Sequence, residues 1–173
     1  MILDELIWDA CQFATTLHAG QVRKYTGEPY INHPEEVVSI LMATDLADDV
    51  GAIAAAWLHD VLEDCDITIE DLRKGFPSRV CDLVEELTDK KTEGNRATRK
   101  AARAVELGNA SPEAQSIKCA DLLSNLNSIR VYDAGFWKVY RAEALELNAR
   151  MQRANHLLRR VLELELMKED GAK

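Results

Sequence analysis

The sequence predicts an all-α protein that forms a single helical domain over residues 1–173. Apolar residues recur at intervals of three and four along most of the chain, as they do on one face of an amphipathic helix. No segment has the alternating pattern that predicts a strand. Hydrophobic residues make up 47% of the 173 residues and there are only 8 glycines, which suits a helical bundle with its own core.

The first two predicted helices flank a loop. Apolar residues at helical spacing predict a first helix that ends near His18. Residues 19–33 contain two glycines and a proline and are predicted to form a loop. Pro34 is expected at the first position of a second helix, which ends near Thr44, because proline fits that position and two acids follow it.

Three helices are predicted in the middle of the chain, and each has a starting signal. Asp48 or Asp49 precedes an alanine-rich segment, and Thr68 with Asp71 resembles a capping box. Ser78 precedes a run with apolar residues at helical spacing. The predicted helices span about 48–63, 68–75 and 78–87.

The last part of the chain is predicted to contain a loop and three helices. Residues 88–95 are polar and predict the loop, which a basic helix over about 96–107 follows. Ser111 and Pro112 form a strong helix start, and that helix ends near Arg130. One long helix over about 135–167 alternates charges with leucines and completes the bundle.

Composition disfavours several classes of function. A net charge of −9 argues against binding to DNA, to RNA or to an anionic membrane. No apolar run approaches about 20 residues, and the N-terminus carries acids where a secretory signal carries bases. The four cysteines have no Cys-x-x-Cys spacing, so reduced and mostly buried thiols are expected. We therefore expect a cytoplasmic protein.

Four dispersed residues form a candidate metal site: His33, His59, Asp60 and Asp121. Two imidazoles and two carboxylates offer mixed nitrogen and oxygen ligands to one divalent cation, although they do not determine which cation. Asp121 and the His59-Asp60 pair lie in apolar segments, where an ionised group needs a partner or a metal. A helix-capping role for His33 and a buried ion pair for the other residues are the alternatives.

An acidic pair follows the His59-Asp60 pair at helical spacing. Glu63 and Asp64 each lie four residues after one of these two residues, so all four are expected on one helix face. A carboxylate beside a cation can hold a metal-activated water and take its proton, which suits phosphoester hydrolysis. The alternative is an ordinary acidic helix end.

Polar residues outside the metal set predict contacts with an anionic substrate. Arg23 and Lys24 are adjacent bases in the loop before His33, and a guanidinium can also stack on a nucleobase. Three residues share the helix face of Asp121, at spacings of three, four and seven: Lys118, Asn125 and Ser128. Solvent-exposed surface is the alternative for both groups.

Several motifs together resemble the hydrolase domain of RelA/SpoT-type alarmone enzymes. The longest is residues 18–34, HAGQVRKYTGEPYINHP, and residues 59–64, HDVLED, are similar to the HD motif of that family with its following acidic pair. Residues 87–92 and 117–121 match in order and spacing. The resemblance covers about residues 5–130 and includes neither a synthetase nor a regulatory domain.

The resemblance implies an HD-domain helical bundle with a single Mn²⁺ that removes the 3′-pyrophosphate of ppGpp or pppGpp. It implies that the four-residue set holds the metal and that Glu63 and Asp64 manage the water. It also places Arg23 by the guanine base and Lys24 by a phosphate. Asn125 and Ser128 would contact the ribose or its phosphates.

The chain departs from the family pattern at three positions. The family often has a basic residue, an aromatic or histidine, and an arginine where this chain has Leu122, Ser124 and Asn127. Two alternatives therefore stay open: hydrolysis of a 5′-monophosphate or a phosphorylated dinucleotide cofactor, and nucleotide binding without catalysis. Leucines along the last predicted helix also leave room for a homo-oligomer.

Overall fold

The fold is all-α, as predicted, in the computed structural model, which describes residues 2–90 and 93–168. Within these ranges the only β contact is an isolated bridge between Val22 and Pro29. The α-helices are α1 (Ile2–Leu17), α2 (Asn32–Leu41), α3 (Val50–Leu58), α4 (Val61–Asp64), α5 (Ile69–Gly75), α6 (Ser78–Leu87), α7 (Arg96–Asn109), α8 (Pro112–Tyr132), α9 (Ala134–Arg150) and α10 (His156–Met167). A 3₁₀ helix, Asp45–Asp48, leads into α3.

Helix α3 lies at the centre of the core. Its residues from Ala52 to Ala56 are fully buried, and so is Leu58. An apolar helix without a polar face needs neighbours on every side, and α1, α2, α6 and α8 pack around α3. The metal-site residues at the end of α3 are therefore carried by the most enclosed helix of the protein.

Side-chain caps fix the helix starts that the sequence predicts. Asp49 accepts a hydrogen bond from the Ala52 amide at the start of α3, and Arg79 donates to both of its carboxylate oxygens at 2.6 Å. Thr68 and Asp71 form the predicted capping box of α5. The Ser111 hydroxyl accepts from the third residue of α8, as a capping serine does.

The predicted third helix is interrupted at His59 and Asp60, so the prediction of a continuous helix to Glu63 was wrong. Helix α3 ends at Leu58 and the separate turn α4 begins at Val61. Asp60 departs from the ideal α-helical angles, with φ −101° and ψ −5°. Its carboxylate is held by the Tyr30 hydroxyl at 2.6 Å, a contact with another segment that outweighs local helix propensity.

The predicted last helix is also two helices. Helix α9 ends at Arg150, and residues 151–155 form a turn that α8 holds. The Gln115 side chain accepts from the Arg153 amide at 2.9 Å, and the Ser116 hydroxyl accepts from the Asn155 amide at 2.8 Å. These bonds reverse the chain, so that α10 packs back on α8 and α9.

Helix α2 starts at Asn32, two residues before the predicted start. Pro34 still lies in the first turn, where its missing amide costs no hydrogen bond. No helix in the described ranges is both long and apolar enough to cross a membrane.

Candidate metal centre

Three parts of the fold bring the four predicted metal ligands together. His33 comes from the first turn of α2, His59 and Asp60 from the junction of α3 and α4, and Asp121 from the middle of α8. His59 Nε2 lies 3.0 Å from Asp60 Oδ2, and His33 Nε2 lies 3.2 Å from Asp121 Oδ1. The two imidazole Nε2 atoms are 3.2 Å apart.

These separations suit donors around one divalent ion. With metal–ligand bonds of about 2.1 Å, neighbouring donors lie about 3.0–3.4 Å apart. Each of His33, His59 and Asp60 offers one donor atom within 4.8 Å of the other two. Asp121 Oδ1 joins them at 3.2 Å from the first ring and 4.0 Å from the second.

Hydrogen bonds on the far side of each ring aim both Nε2 lone pairs at this point. His59 Nδ1 lies 2.8 Å from the Ala56 carbonyl, which can only accept. His33 Nδ1 lies 2.8 Å from the Ser124 hydroxyl, whose own proton goes to Glu36. Two lone pairs and two carboxylates facing one buried point repel each other unless a cation lies there, so the residues fit a divalent metal.

In the metal-free protein, protons on the rings offset this repulsion. Burial alone lowers the pKa of His59, but the charge and hydrogen bond of Asp60 and the charge of Asp121 raise it to about 9. Burial opposes the charge of His33 as well, and the same two carboxylates raise its pKa. Burial alone raises the pKa of Asp60, but the charge of His59 brings it well below its usual range.

Asp121 is held by two residues that the sequence analysis assigned to substrate. Lys118 Nζ lies 2.6 Å from Asp121 Oδ2, and Asn125 Nδ2 donates to Asp121 Oδ1 at 2.6 Å. Burial raises the pKa of Asp121, but the Lys118 charge outweighs it and keeps the carboxylate ionised. Burial in turn lowers the Lys118 pKa, and Asp121 raises it above its usual value.

The acidic pair follows His59 and Asp60 on the separate turn α4. The Asp64 amide donates to the Asp60 carbonyl at 2.9 Å, as residues four apart in a helical turn do. The Glu63 carboxylate accepts a hydrogen bond from the Asp89 amide at 2.6 Å. Desolvation of this carboxyl raises its pKa, although the residue as a whole is exposed. Asp64 is exposed, and its backbone carbonyl accepts from Gln21.

The two loop bases have different surroundings. Arg23 Nη2 donates to Asn125 Oδ1 at 3.1 Å and so reaches the helix that carries Asp121. Lys24 instead points to Tyr25 and Asp133, with 75% of its side chain exposed. Ser128 donates to the Asn125 carbonyl within its own helix.

Each residue of the Arg23–Asn125 contact lines a different cavity. A cavity of about 320 Å³ beside Asp121 and Asn125 is lined by several cationic side chains and by Tyr140. The cations are Arg96, Lys100, Arg103 and Lys118. A second cavity of about 300 Å³ is lined by Arg23 and Ser128.

Sequence analysis missed several residues around the centre. Tyr30 donates to Asp60 Oδ2, and Asp89 accepts from Lys100 Nζ at 2.9 Å and lies 2.7 Å from Arg103 Nε. Glu36 reaches His33 through Ser124. The resemblance in residues 87–92 pointed to the segment of Asp89, but no local pattern predicts which partner each side chain takes.

Comparisons with known proteins agree with this arrangement. A family model described as an HD domain matches residues 10–157. The Drosophila melanogaster protein named guanosine-3′,5′-bis(diphosphate) 3′-pyrophosphohydrolase MESH1 is 38% identical over 130 residues, covering 75% of this chain and 72% of that protein. The Homo sapiens protein of the same name is 37% identical over 136 residues, covering 78% and 75%.

A solved structure gives the same picture in three dimensions. It is described as "A metazoan ortholog of SpoT hydrolyzes ppGpp and plays a role in starvation responses". It matches with a TM-score of 0.85 and 32% identity, over 92% of this chain and 93% of that chain. The agreement thus extends beyond residues 5–130, the part of the chain that the motifs of the sequence analysis cover.

Proposed function

This chain belongs to the HD-domain family, and from that membership we propose that it is a hydrolase that removes the 3′-pyrophosphate of guanosine 3′,5′-bis(diphosphate). The observation that carries the proposal is the convergence of two imidazoles and two carboxylates beside a cavity with a cationic wall. Relatives more than a third identical carry the name of this activity.

The proposed metal is Mn²⁺, held by His33, His59, Asp60 and Asp121. A divalent ion bound there supplies acidification of water and neutralisation of phosphate charge. The mixed donor set suits Mn²⁺ and also other divalent ions. Tyr30 keeps Asp60 oriented, and Lys118 with Asn125 keeps Asp121 oriented, so the donor atoms stay in place during substrate exchange.

Glu63 is the proposed general base. Its raised pKa brings it nearer to neutral pH, which improves a carboxylate as a proton acceptor. The Asp89 amide fixes one carboxylate oxygen and leaves the other for water. Asp64, exposed at the end of the same turn, is proposed to help hold that water.

In the proposed reaction, water forms a bond to the phosphorus attached to the 3′ oxygen. The bond between that phosphorus and the 3′ oxygen breaks, Glu63 takes a proton from the water, and the leaving 3′ oxygen takes up a proton from Glu63 or from solvent to become a hydroxyl. The products of ppGpp are GDP and pyrophosphate. Lys118 is partly buried next to Asp121 and close enough to interact with the charge of Glu63, and it adds positive charge close to the pyrophosphate.

The two cavities give the substrate an elongated site. Lys100 and Lys118 in the cationic cavity are proposed to bind phosphate, and Arg23 in the second cavity is proposed to stack on guanine. Asn125 lines the first cavity and Ser128 the second, and both are proposed to contact the ribose or its phosphates. Lys24 reaches phosphate only if it leaves Asp133.

A substrate panel tests the proposal. Purified protein with Mn²⁺ and ppGpp is expected to yield GDP and pyrophosphate, measured by anion-exchange chromatography. A 5′-monophosphate and a phosphorylated dinucleotide cofactor serve as competing substrates in the same assay. Preference for either competitor, or no turnover of ppGpp, contradicts the substrate assignment.

The wider properties of the chain remain proposals as well. One continuous set of buried apolar residues runs from α1 to α10, which supports a single domain. Four free cysteines and the charge of −9 support a cytoplasmic protein that binds small nucleotides and neither DNA, RNA nor membrane. Exposed apolar residues on α10, Leu157, Leu164 and Met167, support self-association.

A further inference from the structure

A carboxylate–serine–histidine chain lies behind one of the metal-site rings. The Ser124 hydroxyl donates to Glu36 Oε2 at 2.7 Å and lies 2.8 Å from His33 Nδ1. His33 is 2% exposed and Ser124 3%, so neither has water as a substitute partner. Glu36 is exposed and lies on α2, three residues after His33.

The donor and the acceptor of each hydrogen bond in this carboxylate–serine–histidine chain follow from the chemistry of the three groups. An ionised carboxylate only accepts, and a hydroxyl has a single proton to donate. The proton of Ser124 is given to Glu36, so the same oxygen must accept from His33. His33 therefore carries its hydrogen on Nδ1, and the Nε2 lone pair faces Asp121, Asp60 and His59.

We propose that Glu36 is a positioning residue, which sets the tautomer of His33 through Ser124 and so prepares Nε2 to bind the metal. This inference rests on the metal site of the proposed function. Without Glu36, the Ser124 hydroxyl is free to donate to Nδ1, which moves the ring hydrogen to Nε2 and blocks the ligand atom. By accepting the Ser124 proton, Glu36 disfavours this second tautomer of His33.

The second histidine provides an internal comparison. His59 Nδ1 donates to the backbone carbonyl of Ala56, which no side-chain substitution removes. The two rings thus have the same tautomer by different means, one through backbone and one through side chains. Changes at Glu36 are therefore expected to affect His33 and leave the tautomer of His59 unchanged.

Isothermal titration with Mn²⁺ tests the proposal, because it reads metal affinity without activity. Glu36→Ala, which removes the acceptor of the Ser124 proton, is compared with Glu35→Ala at the adjacent exposed acid of the same helix, so the two variants lose the same charge. Glu36→Ala and Ser124→Ala are each expected to weaken Mn²⁺ binding by about 10–100-fold, the range for residues that orient metal ligands. Glu35→Ala is expected to stay within about twofold of wild type.

The double variant distinguishes a single effect, passed from Glu36 to His33 through Ser124, from two independent effects on metal binding. If Glu36 acts through Ser124, Glu36→Ala has no further effect in the Ser124→Ala background, and the two losses do not add. Nitrogen-15 chemical shifts of the metal-free protein at alkaline pH are expected to show the Nδ1–H tautomer of His33 in wild type and its loss in Glu36→Ala. His59 is expected to keep its tautomer in both.

The outcomes distinguish this inference from the proposed function. Additive losses overturn it, and so does Mn²⁺ binding by Glu36→Ala equal to that of Glu35→Ala, while the metal site itself stands. If the variants show the expected pattern of Mn²⁺ affinities but the wild-type protein does not hydrolyse ppGpp, the inference is supported and only the substrate assignment fails. Wild-type protein that binds no Mn²⁺ overturns both.

Discussion

The acids of this protein differ in role because they differ in partners. Asp60 and Asp121 are surrounded by hydrogen-bond donors and histidines, which keep them ionised and aimed at one point. Glu63 has one amide donor and a partly desolvated carboxyl, which makes it a better proton acceptor. The same carboxylate chemistry is therefore expected to provide metal ligands at Asp60 and Asp121 and a base at Glu63.

Loss of one ligand carboxylate is expected to remove metal and activity together. Asp121→Asn keeps the size of the side chain but weakens the donor and the charge. Because even residues that orient ligands contribute about 10–100-fold, we expect metal affinity to fall by more than about 100-fold and turnover to fall with it. Metal content and rate are measured on one sample, with the exposed Asp82→Asn as the control. Full metal occupancy in the variant would place Asp121 outside the coordination sphere.

Loss of the proposed base is expected to lower the activity without lowering the metal content. Glu63→Gln keeps a side chain of the same shape but cannot take the proton of the water, so turnover is expected to fall by about 100-fold or more with metal content unchanged. Glu70→Gln, an exposed acid of α5, is the matched control. Turnover in Glu63→Gln equal to that of the control removes Glu63 from the mechanism.

Residue identity was easier to predict than residue contact. The apolar surroundings of Asp121 indicated a bound or paired carboxylate, and the structure brings it to both histidines. Helical spacing also put Lys118 and Asn125 on its face, but it could not show that both bond to Asp121 itself. Those bonds depend on how deeply α8 is buried, which spacing along one helix does not reveal.

At the scale of helices, the start of α3 contributes to stability at a distance from the metal. Asp49 caps the helix through the Ala52 amide and binds Arg79. Arg79 lowers the pKa of Asp49, so the capping carboxylate stays charged.

Removing this cap is expected to affect stability and not chemistry. Asp49→Ala should lower the free energy of unfolding by about 1–2 kcal/mol, measured by urea denaturation. Asp49→Asn keeps the cap and loses the ion pair with Arg79. Because the Arg79 side chain is about half exposed, this variant should lower the free energy of unfolding by less than about 1 kcal/mol. Equal losses in the two variants would assign the stability to Arg79 and contradict the capping argument.

Helix starts were predicted well because their signals are local. The capping box at Thr68 and the serine–proline start of α8 appear in the structure as predicted. The two interruptions have causes elsewhere in the fold: Tyr30 holds Asp60, and α8 holds the turn before α10. Asn155 caps α10 and was the one local signal for the second interruption.

At the scale of the whole molecule, the metal centre links stability to pH. In metal-free protein, His59 keeps its proton until about pH 9, whereas an unfolded histidine releases it near its ordinary value of 6.5. The proton therefore stabilises the fold fully below pH 6.5, and this stabilisation is lost as pH rises to about 9, by up to about 3 kcal/mol.

Thermal denaturation with EDTA and with Mn²⁺ checks this link. The melting temperature of the metal-free protein should fall across that window, and the gain on adding Mn²⁺ should grow, because the cation takes the place of the proton. His59→Gln should remove most of the dependence, whereas the exposed His156→Gln should leave it. A metal-free melting temperature that does not change with pH would contradict the link.

The hydrogen bond between Arg23 and Asn125 joins a residue that lines one cavity to a residue that lines the other, and in the proposed elongated site it forms a partition between two chambers. A compact anion settles in one chamber without disturbing this partition. A ligand that extends into both must part the guanidinium from the amide, and its binding energy has to offset that separation. The partition is therefore expected to select ligands long enough to reach both chambers, with charge at one end and a planar ring at the other.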